Sequence, residues 1–122
     1  MADYTPIICD DDLSYTAVAS ASITGGQVLV VTGVNTVGPA GVAALPIAGV
    51  ASRDAVSGDN LTVYRSGIQN LVATGTVAAG DALTSGASGT VVTNAAPAAG
   101  THIGTAQTAA TAGNKVRVIF NR

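Results

Sequence analysis

From Tyr15 onward, short β-branched apolar runs alternate with glycine turns at the close spacing of an all-β sandwich or barrel. Strands are predicted over 14–23, 27–32, 46–51, 60–65, 68–74, 82–84, 90–93, 102–107 and 115–121. Between them stand turn sequences: Thr24-Gly25-Gly26, Ser57-Gly58-Asp59, Ala79-Gly80-Asp81, Ser85-Gly86-Ala87-Ser88-Gly89 and Ala112-Gly113-Asn114. Leu61 and Val63 alternate with Thr62 and Tyr64, and Val116, Val118 and Phe120 with Arg117, Ile119 and Asn121, so one face of each strand meets water or another subunit. The alanine-rich stretches 38–44 and 94–100 have helical propensity, but Pro39, Pro46, Pro97 and nearby glycines break every window longer than a turn or two.

An internal repeat appears at an offset of 55: residues 49–65 lie over 104–120 without a gap, with Gly49, Ala51, Ala55, Gly58 and Val63 meeting Gly104, Ala106, Ala110, Gly113 and Val118. Upstream, Gly25 and Val28 match Gly80 and Leu83 at the same offset. The expected body is a single β domain over 14–122, a small barrel or sandwich made of two similar β units at 14–67 and 68–122. Residues 1–13 differ: they hold four of the seven acids, the single Cys and Met, and Ile7-Ile8 after Pro6, with no glycine. They read as an extended N-terminal arm, docked on the body or reserved for a partner.

Composition narrows the function. Of 122 residues, 48% are hydrophobic, enough for one core without metals or disulfides, but Ala and Val dominate it. Such side chains bury little area each, so the chain is expected to lean on partners. Charged residues make up 10%, with a net charge of −2 and no Glu, which argues against a sequence-independent nucleic-acid binder. The stretch 82–114, free of Asp, Lys and Arg, is interrupted by Gly, Pro, Ser and Thr and makes no membrane span. The acidic start lacks the basic and apolar pattern of a secretory signal. With Cys9 alone, no intrachain disulfide forms.

Candidate chemistry is sparse. Asp10-Asp11-Asp12 is a dense set of hard oxygen ligands, yet it lacks the alternate spacing and glycine of a calcium loop, so these acids read as solvated arm charges. His102 stands alone with no acid near it in sequence, and an ordinary strand-end histidine accounts for it. Asp59 and Asp81 follow turn glycines, where a carboxylate caps backbone N–H groups. No glycine-rich loop carries the phosphate-binding pattern. No catalytic residue, cofactor or metal is expected. What remains is a β body and an arm whose backbone can add a strand to a neighbour's sheet edge, with Tyr4, Thr5, Pro6, Ile7 and Ile8 as its binding residues.

The residues resemble a particular family. Met1-Ala2-Asp3-Tyr4-Thr5-Pro6, Ala19-Ser20-Ala21, Ile23-Thr24-Gly25-Gly26-Gln27, Val37-Gly38-Pro39-Ala40-Gly41 and Gly49-Val50-Ala51 carry the first half of the likeness. Ala55 with Gly58-Asp59-Asn60-Leu61-Thr62-Val63-Tyr64, Gly67 and Ala78-Ala79-Gly80-Asp81 carry the rest. In order and spacing they are similar to the capsid decoration, or head cement, proteins of tailed bacteriophages, especially those infecting actinobacteria. Residues 7–13 depart from that pattern. The resemblance implies a non-enzymatic structural protein of the virion: a homotrimer on the outer surface of the capsid that binds the major capsid protein, bridges neighbouring capsomers and stabilises the mature shell. It implies no direct contact with nucleic acid or membrane. A second reading is a phage-surface module recognising a host carbohydrate, although Tyr4, Tyr15, Tyr64 and Phe120 are few and scattered for stacking on sugar rings.

Overall fold

The structure is a computed structural model that describes residues 14–120. Every regular element except a short 3₁₀ turn, Ala87–Gly89, is a strand: β1 Ser14–Ala19, β2 Val28–Gly33, β3 Thr36–Pro39, β4 Ile47–Ala51, β5 Asn60–Tyr64, β6 Gly67–Val72, β7 Ala82–Ser85, β8 Val91–Thr93, β9 His102–Ala106 and β10 Lys115–Phe120. The all-β expectation holds, and the alanine-rich stretches form no α-helix. Among the described residues no helix is long and apolar enough to cross a membrane.

β1 to β5 close into a barrel in the order β1-β3-β2-β4-β5, and β6 to β10 form a sheet in the order β6-β10-β9-β7-β8. Their hydrogen-bond registers correspond pair by pair. Val18 faces Asn60 as Val72 faces Lys115; Leu29 faces Gly49 as Leu83 faces Gly104, with a bulge immediately after each leucine. Ala19 meets Val37 in parallel as Ala73 meets Val91. The correspondence runs at 54 residues through the first three strands and at 55 through the last two. The match of Gly25 and Val28 to Gly80 and Leu83 is therefore corrected by one residue. Gly26 and Gly80, with φ of 89° and 91°, donate their N–H groups to Ala51 O and Ala106 O. A tight turn needing positive φ selects glycine there, whereas the neighbouring Gly25 is not among the positive-φ glycines.

Closure distinguishes the two sheets. β1 and β3 are paired at two positions, whereas β6 and β8 meet only at the bridge between Ala73 and Val91. The barrel is filled by aliphatic side chains, among them Ala17, Ala19, Leu29, Val37, Ala51, Leu61 and Val63. A second core joins Leu71, Leu83, Val91, Ile103, Val116 and Val118 to Val28, Ala40 and Val50 of the barrel strands and the segment after them. β2 and β4 are thus buried on both sides: Leu29 and Ala51 point into the barrel, Val28 and Val50 into the second sheet's core.

Candidate functional site

The polar residues singled out by sequence serve the turns. Asp59 Oδ2 accepts the Val56 N–H at 3.1 Å, and Asp81 Oδ2 accepts both the Ala78 N–H and the Thr93 hydroxyl at 2.9 Å. Asp54 Oδ1 accepts the Gly25 N–H at 2.8 Å. These three are the acids of the described residues, and each compensates a backbone amide left over by a turn. His102 opens β9 opposite Thr84, half-buried. Among the described residues no three of His, Cys, Asp and Glu gather as metal ligands. Tyr4, Thr5, Pro6, Ile7, Ile8, Cys9 and Asp10 to Asp12 lie outside the described residues.

The structure brings together apolar surface. On the outer face of β6 and β10, Ile68 lies directly opposite Ile119, and the two are 56% and 40% exposed. The same face continues through the pairs Asn70 with Arg117 and Val72 with Lys115, whose two basic side chains are exposed. Val34 at the β2–β3 turn is 97% exposed, and Val42 and Leu45 stand out on the loop after β3. That loop is fixed to the second sheet: Ser85 Oγ donates to Gly41 O at 2.7 Å and accepts the Ala44 N–H at 2.8 Å, while Ser85 O accepts the Ala43 N–H. A pocket of about 200 Å³ opens beside Ile47, Ala48, Arg65 and Phe120. β-branched side chains exposed on pinned backbone suit contact with another protein surface, because little entropy remains to be lost on docking.

The sequence does not mark Val34, Val42, Leu45 or Ile68 as contact residues, and it places Ile119 only on a face that meets water or another subunit. Gly33-Val34-Asn35 carries a signal in retrospect, an apolar side chain on a turn that offers it no core. For Ile68 and Ile119 the signal was the alternation itself, since Val118 and Phe120 had already filled the inward positions of β10.

The family model of phage cement proteins matches residues 8–121. Among solved structures, the chain is similar to the N base of head fiber gp8.5 in bacteriophage phi29, with a TM-score of 0.72 and 26% sequence identity over 89% of this chain and 93% of that one. No curated protein matches in sequence.

Proposed function

The chain belongs to the phage cement protein family, and from that premise we propose that it is a non-enzymatic clamp on the outer surface of a phage capsid, acting as a homotrimer that binds the major capsid protein and bridges neighbouring capsomers. The family match over nearly the whole chain carries this reading; the likeness to the base of a phage head fiber supports it. The described acids are occupied with turns, and several large hydrophobic side chains, Val34, Val42 and Ile68 among them, stand exposed on the β body.

In this reading Tyr4, Thr5, Pro6, Ile7 and Ile8 form the shell-binding arm. One such arm binds weakly, because each backbone hydrogen bond contributes about 1 kcal/mol net against roughly 1–2 kcal/mol per residue of ordering entropy. Three arms on a closed trimer make the later contacts intramolecular and raise avidity by about 10² to 10⁴. Each arm touches a different capsomer, so parting two capsomers means breaking several contacts at once. We also read 14–122 as one domain of two fused copies of a single β unit, because the two sheets share their pairing scheme and the bulge that follows Leu29 in one and Leu83 in the other. Deletion of residues 2–13 is expected to leave a folded trimer by light scattering that no longer sediments with cement-free shells. Full shell occupancy by the truncated protein overturns the arm's role, and a monomeric wild-type protein on shells overturns the trimer.

A further inference from the structure

The two halves differ at one corresponding place. Val31 faces Val37 across β2 and β3, and Ser85 faces Val91 across β7 and β8, at the shift of 54 that relates the first three strands of each half. Val37 and Val91 each fill the core of their own sheet, so Val31 and Ser85 stand at the same end of each. There the ordinary preference is reversed: the serine is fully buried, whereas the valine is 44% exposed. The turn that follows repeats the contrast. Ser88 O accepts from Gln27 Nε2 at 2.9 Å, and the Gly89 N–H donates to Ala40 O at 2.8 Å, which fastens that turn to the barrel. Val34, the counterpart of Ser88, is 97% exposed.

What covers Ser85 is the loop 40–46, which follows β3 and bonds the serine through Gly41 O and the Ala44 N–H. The loop in the same place of the other half, 94–101 after β8, is one residue longer. It carries no charge, and its alanines are exposed. Its shape is nevertheless fixed: the Asn94 N–H donates to Ala82 O, the Ala96 N–H to Asn94 Oδ1 and the Thr101 hydroxyl to Ala98 O. In its own chain it lies beside Leu45, whose Cδ2 would be 3.2 Å from a carbon added to Gly100, and it leaves Val31 and Val34 bare. Each chain thus holds one barrel end without a cover and one preformed loop with nothing to cover, both uncharged.

We propose that the loop 94–101 of one copy covers the barrel end at Val31 and Val34 of the next, repeating between chains the join that the loop 40–46 makes within one. This deepens the homotrimer reading and rests on it, by naming the surfaces that meet. Because the two surfaces differ, the contact is heterologous and closes as a ring. The substitution of Val31 and Val34 for Ser85 and Ser88 suits the change of task. A join within one chain is held by connectivity and can rely on hydrogen bonds, whereas a join between chains is driven by apolar area leaving water. Both partners are already pinned, so docking costs little ordering entropy.

Light scattering on variants at these exposed sites tests the contact, because an aspartate buried in the join without a partner opposes it. Wild-type protein is expected to read as three chains, and V34D and the pair A96D/A98D as one each, a threefold fall in mass, with each variant still giving the dispersed amide spectrum of a folded chain. An equimolar mixture of the two variants unites an intact loop with an intact barrel end and is expected to regain a two-chain complex. Three chains in either variant, or a mixture that stays monomeric in concentrated solution, overturns this contact and leaves the homotrimer reading standing. Wild-type protein of any other mass overturns the homotrimer reading, and this contact with it. Variants that stay trimeric but no longer sediment with cement-free shells give the barrel end to the capsid protein and overturn its use between copies.

Discussion

A methyl group placed on Gly104 would run into the carbonyl oxygen of Ile119 and come within 3.0 Å of Val118 Cγ1. Gly49 stands in the corresponding place, against Tyr64 O and Val63 Cγ1. Both obstacles are on a neighbouring strand and cannot swing away, so β4 and β9 approach β5 and β10 only because these two positions lack a side chain. Gly113 is different: its φ of 84° is strained for other residues, yet nothing lies within 4 Å of the added carbon. Gly104→Ala is therefore expected to cost roughly 2–4 kcal/mol of stability, as overpacking with backbone displacement does, and Gly113→Ala about 1 kcal/mol. Denaturant melts of the two variants give the ranking directly, and equal midpoints would contradict it. Asp81→Ala strands one amide and one hydroxyl, the latter half-buried. Its expected loss is about 1–2 kcal/mol by the same measurement.

Strands were legible where inward and outward positions alternate and obscure where space excludes side chains. β10 could be read from Val116, Val118 and Phe120 because each of them fills the core. β3, Thr36–Pro39, was not predicted, since Val37 is its one large apolar residue and Gly38 and Pro39 read as a turn. The structure explains the composition: a carbon on Gly38 would come within 3.1 Å of Ser20 Oγ and 3.3 Å of Thr32 Cγ2, where β3 passes close to its neighbours. The predicted first strand, 14–23, ends at Ala19; Ile23 rejoins pairing only as a bridge to Ala55. Parallel contact between β1 and β3 joins residues distant in sequence, and no local pattern encodes it. The same holds for the candidate surface. The turn roles of Asp59 and Asp81 were visible because they act on residues three positions away, whereas the pairing of Ile68 with Ile119 depends on a register 51 residues apart. At this scale Ser85 is the informative side chain, fully buried and bound to Gly41 O and the Ala44 N–H. Ser85→Ala leaves both without that partner and is expected to destabilise by roughly 2–3 kcal/mol. Faster amide exchange in the loop after β3 would accompany the loss.

The two halves of the molecule do not hold equal shares of it. The barrel has an interior of its own, but the second sheet completes its core with Val28, Ala40 and Val50 from the other half. Residues 67–122 expressed alone are therefore expected to remain unfolded. The intact protein should melt in a single calorimetric transition with an enthalpy near ~0.7 kcal/mol per residue. Two resolved transitions would show that the halves unfold independently.

The incomplete closure of the second sheet has a mechanical meaning. Heat or tension finds its first purchase at the clasp between Ala73 and Val91, where one bridge does the work that two paired positions do between β1 and β3. Opening starts on that flank as a local fluctuation of the folded protein, below the temperature or force at which the two halves come apart together.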